Sequence, residues 1–407
     1  MKRRPEIDAA RGLMLVWMTT THLPTVLNNY SNQPFGFVSA SEGFIFLSAL
    51  FTGLIYWRMA EREGMREMRW KLWRRAVRLY WYHALLLAFT FLVAVPIATH
   101  GDRPGLHNLL NFYFTAGPAR AITEAALLIY RPPLLDILPM YIIFLVLSPI
   151  AVTLGKKIGW APLLSAATCL WLLAQLGLRQ SIYDLSHVLR LKIPLNEMGS
   201  FDLWAWQLCW ILGLYCGVKW ASGDLKVEEW ARRVTIPAAI LAVAFCGLRY
   251  ATGYGLDMGR FAVLFDKWHL GPLRILNFAC ASALLIRFQD FVKPLAVRPL
   301  VMMGQASLQV FCVHLLFCFG GLTLLGNAAM LSGPKQAVLY VTAILAMLVT
   351  AKIFAKSAEK LEGKHEPVPA AVQSFEAMPR MAPTRLVEAP LTMSQESADP
   401  GTRVIKQ

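Results

Sequence analysis

Apolar runs of about 17–22 residues recur along the chain, near 11–29, 38–57, 77–98, 134–154, 159–177, 203–221, 235–251, 273–291, 300–322 and 336–354. Each can cross a bilayer as a helix, so the pattern predicts an all-α polytopic membrane protein, a bundle of about ten transmembrane helices. The polar breaks between the runs differ in charge. The stretch from Arg58 to Arg78 is crowded with Arg and Lys, and cations return at Lys156 and Lys157, at Arg232 and Arg233, at Lys293 and Arg298, and after Lys352. Their alternation is the positive-inside pattern and puts both termini in the cytoplasm. The opposite breaks, about 99–133 and 178–202, carry few cations. In the first, Leu109, Leu110, Phe112 and Phe114 interleave with polar residues, as in a helix lying at the outer interface. After about residue 356 periodicity ends and Pro, Ala, Glu, Ser and Met dominate. The chain therefore divides into a membrane-embedded domain, 1–355, and a disordered cytoplasmic tail, 356–407.

Composition narrows the class. Of the 407 residues 56% are hydrophobic and 16% charged, which suits a membrane protein. The net charge of +15 belongs to alternate loops, so it sets orientation and gives no reason to expect nucleic acid as a partner. All seven cysteines lie in apolar segments and form no CxxC pair, so neither a disulfide framework nor a metal site is expected. Met-Lys-Arg-Arg at the start has the charge of a signal peptide, but no small-x-small cleavage site follows. The first run reads as an uncleaved helix.

Candidate chemistry begins in that run. Arg11 and His22 are eleven residues apart, which on a helix places them within about 20° of one another and roughly 16 Å apart along the axis. Asp8 precedes Arg11 on nearly the same face, and Thr19 and Thr25 flank His22 at i−3 and i+3. A polar seam of this kind inside an apolar helix faces a bundle interior or a water-filled cavity. It suits a catalytic site, and a topology signal beside a packed core histidine explains it as well.

Other residues could join it. Glu42 enters with the second run from the outer side, at a depth close to that of His22, where a carboxylate would fix the imidazole tautomer for general-base work. A structural ion pair or a helix-capping role accounts for Glu42 equally. His314, in the ninth run, is a second candidate for the same cavity, as a substrate contact or as a satisfied core residue. Arg75 and Arg78 share one face at the cytoplasmic start of the third run, suited to phosphate oxygens and also to positive-inside bias. Asp136, at the outer mouth of the fourth run, could bind sugar hydroxyls or cap its helix. The arrangement puts phosphate-binding cations inside, a base at mid-depth and polar acceptors outside. An extended pantetheine arm needs about the Arg11–His22 separation to carry its thioester from an anchored nucleotide to the base.

The Arg-x10-His span, Ser41-Glu-Gly-Phe-Ile-Phe-Leu-Ser48, Arg75-x-x-Arg78 and Ser307-Leu-Gln-Val-Phe-Cys-Val-His314 resemble the acyltransferase-3 group of membrane O-acyltransferases. More closely, Glu6-Ile-Asp-Ala-Ala-Arg-Gly12, Ser39-Ala-Ser-Glu-Gly-Phe-Ile-Phe46 and Leu135-Asp-Ile-Leu-Pro-Met-Tyr141 look like the OpgC branch, associated with succinylation of osmoregulated periplasmic glucans. The resemblance covers about residues 6–355. It implies a ten-helix bundle in the bacterial inner membrane and transfer from acyl-CoA, succinyl-CoA or acetyl-CoA, to a carbohydrate hydroxyl. No bound cofactor or metal is implied. Carried over, His22 is the catalytic base, Arg11 its motif partner, and Arg75 and Arg78 contact the donor phosphates. Where a Phe-Asn-Pro-like lead would precede Trp-Gln, this chain has Phe201-Asp-Leu-Trp-Ala-Trp-Gln207, in a region that could shape the acceptor site.

A rival expectation is a proton-coupled transporter or exporter of a glycan or small anion, with Glu42, His22 and His314 as a relay. Internal repeats and paired broken helices, common in transporters, do not stand out. Oligomeric state is not legible.

Overall fold

A chain in hydrocarbon must satisfy its own backbone N–H and C=O groups, and a single segment does so only as a helix. The computed structural model describes residues 5–101, 103–188, 193–325 and 331–362, and among them the apolar runs are helices and no strand forms. In chain order the principal helices are α1 (Pro5–His22), α2 (Ala40–Arg62), α3 (Met65–His100), α4 (Ile137–Lys157), α5 (Trp160–Gln175), α6 (Leu203–Ala221), α7 (Val227–Gly253), α8 (Pro272–Arg287), α9 (Arg298–Gln305), α10 (Ser307–Leu325) and α11 (Gly333–Glu362). The tail expected over 356–407 starts later than its composition suggests, because α11 continues as helix to Glu362; the rest of it lies outside the described residues.

Several boundaries depart from the hydropathy pattern. The first run does not continue to residue 29. Pro24 disfavours helical geometry at Leu23, so α1 stops at His22 and Thr25 is off its face. The run 300–322 breaks at Ala306 (φ −98°, ψ 30°) into α9 and α10. A wider turn at Thr90–Ala94 interrupts α3 just before Pro96, which has no N–H to continue the ladder. Among the described residues seven helices are long and apolar enough to cross a membrane, and nine if each of two bent pairs is one crossing. In those pairs α5 turns by 78° at Gly177 (φ +90°) and α8 by 82°. The 18-residue α1, bearing Glu6, Asp8 and Arg11, is not among the nine. The outer stretch expected to hold one interfacial helix forms three short ones, and Leu110 and Phe112 are buried in the main core.

Two backbone crossings organise the bundle. On α6, a Cβ on Gly217 would overlap Leu50 O of α2, and one on α2's Gly53 would overlap Leu214 O of α6. Small residues at such spacing let helices approach closely where hydrophobic burial gives no drive. The second crossing holds α1 against α9: Gly12 meets Leu300 O, and Gly304 meets Asp8 O. Further out, Ile236, Ile240 and Val243 of α7 are exposed on one face, as suits lipid contact.

These crossings leave no room for a methyl group. Gly217→Ala and Gly304→Ala should each cost about 1–3 kcal/mol through overpacking. In detergent each should lower the unfolding midpoint, whereas Gly247→Ala, with open space around it, should not.

Candidate active site

A cavity of about 550 Å³ lies among α1, α2, α3, α4 and α10. Arg11, Lys71, Arg74, Arg75 and Arg78 line it together with Tyr56, Tyr141 and Ser307. Phe44, Ile45, Ile137, Leu138 and Phe311 line its apolar part. Along α2 the lining runs from Tyr56 to Phe44, about 18 Å at 1.5 Å per residue. Arg75 is held inside it, donating to Thr52 Oγ1 at 3.2 Å and Tyr141 OH at 2.9 Å, with its guanidinium 6.0 Å from the Tyr56 ring centroid. Arg11 donates to Ser307 Oγ at 2.5 Å and lies 5.3 Å from the Phe51 ring centroid. The three arginines singled out in the sequence thus share one chamber.

Behind its apolar part stand two histidines. Phe311 forms the shared wall, 6.0 Å from Phe44 and 4.8 Å from His314, centroid to centroid. The imidazoles of His22 and His314 stack at 5.9 Å with 23° between their planes. His22, the last residue of α1, is exposed. His314 is fully buried, and its Nδ1 lies 2.7 Å from Phe311 O. A carbonyl only accepts, so Nδ1 carries the hydrogen and Nε2 the lone pair. That Nε2 makes no hydrogen bond among the described residues. One turn further on α10, Cys318 completes a group in which one donor atom from each of His22, His314 and Cys318 lies within 4.8 Å of the others. The cysteine pattern gave no reason to expect this; the signal was His314-x3-Cys318 on one helix face.

Glu42 takes a different place from the one expected. Its Oε2 accepts from Ser39 N at 2.9 Å and Ser39 Oγ at 2.6 Å, closing a capping box at the start of α2. Its Oε1 pairs with Arg274 Nε, both side chains being buried. With both oxygens committed, Glu42 does not orient His22. A buried guanidinium needs a carboxylate, and Arg274 in the first turn of α8 outcompetes a neutral imidazole for it. Arg274 was legible as an ionisable residue inside an apolar run.

Asp136 also stands apart from the cavity. It is buried, makes no side-chain cap to α4, and accepts from Ser200 N at 3.1 Å. Lys267, which the sequence did not single out, sits in the turn before α8. Burial holds its ammonium below the ordinary range against the carboxylates of Glu42 and Asp136, and its charge reaches His22. Segment 201–206 clasps the loop that carries it. Asp202 N donates to Trp268 O at 3.0 Å, Trp206 Nε1 donates to Lys267 O and Trp268 O, and Lys267 Nζ lies 4.8 Å from the Trp268 ring centroid.

Two outcomes follow. Glu42→Ala leaves Arg274 buried and uncompensated, at a cost of about 3–5 kcal/mol; the double variant Glu42→Ala/Arg274→Leu should recover much of the loss in thermal unfolding. The hydrogen bond to Asp266 raises the pKa of His269, beside Lys267. A raised histidine pKa favours the folded state below the unfolded value of about 6.5, and the benefit fades as pH rises through the folded value. The stability advantage of wild type over His269→Gln, read from melting points, should therefore be full at pH 5.5 or so and shrink above neutrality.

A family model described as OpgC protein matches residues 3–359. No curated protein and no solved structure matches the chain. The match covers nearly the whole helical region described above, so the chain belongs to the OpgC protein family, and is a multi-pass membrane acyltransferase of the kind that acts on glucans.

Proposed function

We propose that this protein is an inner-membrane O-acyltransferase that moves a succinyl group from cytoplasmic succinyl-CoA to a hydroxyl of a periplasmic glucan. The observation that carries this reading is the single cavity joining Arg11, Arg75 and Arg78 to an apolar wall directly backed by the His314–His22 pair. Its length along α2, about 18 Å, suits a pantetheine arm whose phosphates stay with the arginines. Thr52 and Tyr141 fix Arg75 for a phosphate before the donor arrives, so little ordering is left for binding.

At the far end, a ring nitrogen of His22 takes the proton from the glucan hydroxyl as its oxygen attacks the thioester carbonyl. The C–S bond breaks, and the proton returns from His22 to the departing thiolate, giving free CoA. For this the acyl end passes the Phe44–Phe311 wall. On the outer side Trp268, 40% exposed, offers an aromatic face to a sugar ring beside Lys267. The capping box and the Arg274 pair hold Glu42 in a structural role, which favours the transferase reading over a proton relay through it.

The test is mass spectrometry of periplasmic glucans from a strain lacking this gene, complemented with wild type, His22→Ala or Arg75→Ala. Wild type should restore a succinyl increment. His22→Ala should lower transfer by roughly 10²–10⁴-fold while still reaching the membrane. With purified protein, Arg75→Ala should raise the KM for succinyl-CoA on the order of tenfold or more, the loss of hydrogen bonds to a charged group. Restoration of full glucan succinylation by His22→Ala would make His22 structural and end this mechanism.

A further inference from the structure

His22, His314 and Cys318 have a second chemistry. Each is a good ligand for a borderline d-block ion, and one donor atom from each lies within 4.8 Å of the other two. His314 and Cys318 are four residues apart on α10 and therefore share a face, while His22 comes from the end of α1. Nδ1–H of His314 is committed to Phe311 O, so its Nε2 presents a lone pair, buried and unpartnered among the described residues. Ligating histidines commonly have the far nitrogen fixed in this way by a carbonyl.

We propose that these three residues form a zinc-binding site that shuts the enzyme off, with two imidazole nitrogens, one thiolate and an open fourth position for water. The inhibitory part rests on the reading of His22 as the base, because a lone pair given to a metal is not available to a hydroxyl proton. Binding releases one proton, from the Cys318 thiol, and changes no oxidation state.

Geometry and charge narrow the ion. Bonds of about 2.0–2.1 Å to nitrogen and 2.3 Å to sulfur set tetrahedral edges of roughly 3.4–3.6 Å. The donors must therefore draw in by on the order of 1 Å, and the exposed His22, at a helix end, has the freedom to do so. Lys267, whose charge reaches His22, opposes any cation held by charge alone. Binding must come from nitrogen and sulfur donor bonds, which favours zinc over magnesium or calcium. Access is from the side of His22, since His314 and Cys318 are both fully buried.

The test uses full-length protein purified in detergent, stripped with a chelator and titrated with Co²⁺ as the spectroscopic stand-in for zinc. Wild type should take up one equivalent, with the visible bands of four-coordinate cobalt and a thiolate-to-metal charge-transfer band. Zn²⁺ should displace it. Cys318→Ser should lose the charge-transfer band and bind at least about tenfold more weakly, a loss no smaller than removal of an outer-shell partner causes. In parallel, micromolar Zn²⁺ should inhibit acyl transfer by wild type and spare Cys318→Ser, whose metal-free activity should equal that of wild type. Mg²⁺ should inhibit neither. Absence of the charge-transfer band in wild type overturns the site without recourse to any variant, as does its persistence in Cys318→Ser. Equal zinc inhibition of both proteins overturns the control it exerts. A failure of the acylation reading would show separately, as no transfer by metal-free wild type with the cobalt spectrum unchanged.

Discussion

Gly12 and Gly304 let α1 lie against α9 in backbone contact, and the geometry of the candidate site depends on that approach. It fixes the depth and rotation of a short helix with a cation near one end and an imidazole at the other. Arg11 then meets Ser307, the first residue of α10, and His22 meets His314 further along that helix. The break at Ala306 serves the same purpose, because α9 can cross α1 closely while α10 continues at its own angle to bring His314 and Cys318 to the end of α1. A larger residue at either glycine would separate the helices and pull the two ends of the site out of register together.

The second constraint is the start of α2. A carboxylate buried in an apolar bundle persists only with full compensation, and Glu42 obtains it from Ser39 and Arg274. That network ties α2 to α8, and Arg274 Nη1, donating to Phe265 O at 3.4 Å, holds the start of the loop that carries Lys267 and Trp268. The close approach of α2 and α6 extends the frame to the segment 201–206 that clasps this loop. The glycines and the buried ion pair thus shape the candidate site by position, without lining it themselves.

Much of this was legible in the residues. Hydropathy located the helical runs, and the spacing of Arg11, Arg75 and Arg78 with respect to loop charge placed them on one level, where they share a cavity. The His22–His314 pairing was visible as two ionisable residues within apolar runs. What local pattern could not carry was partner choice. Glu42 lies at a depth open to His22 or Arg274, and only the packing of α8 decides between them. The termination of α1 at His22 was available in Pro24, whose restriction on the preceding residue outweighs the apolar character of Leu23 and Val26. Spacing among the cysteines carries no sign of Cys318's setting, because its neighbours are histidines on two helices. Asp136 read as an open outer carboxylate, and tertiary burial against the turn at Ser200 took it out of reach.

In the proposed reaction α1 joins a donor on one side of the membrane to an acceptor on the other. Proteoliposomes with the protein in a single orientation test it directly, with succinyl-labelled succinyl-CoA supplied only on the Arg75 side and glucan only on the opposite side. Label should appear on the glucan, with CoA released and retained on the donor side. Transfer that occurs only when both substrates share a compartment would rule out a reaction across the bilayer, as would labelled succinyl-CoA appearing intact on the glucan side.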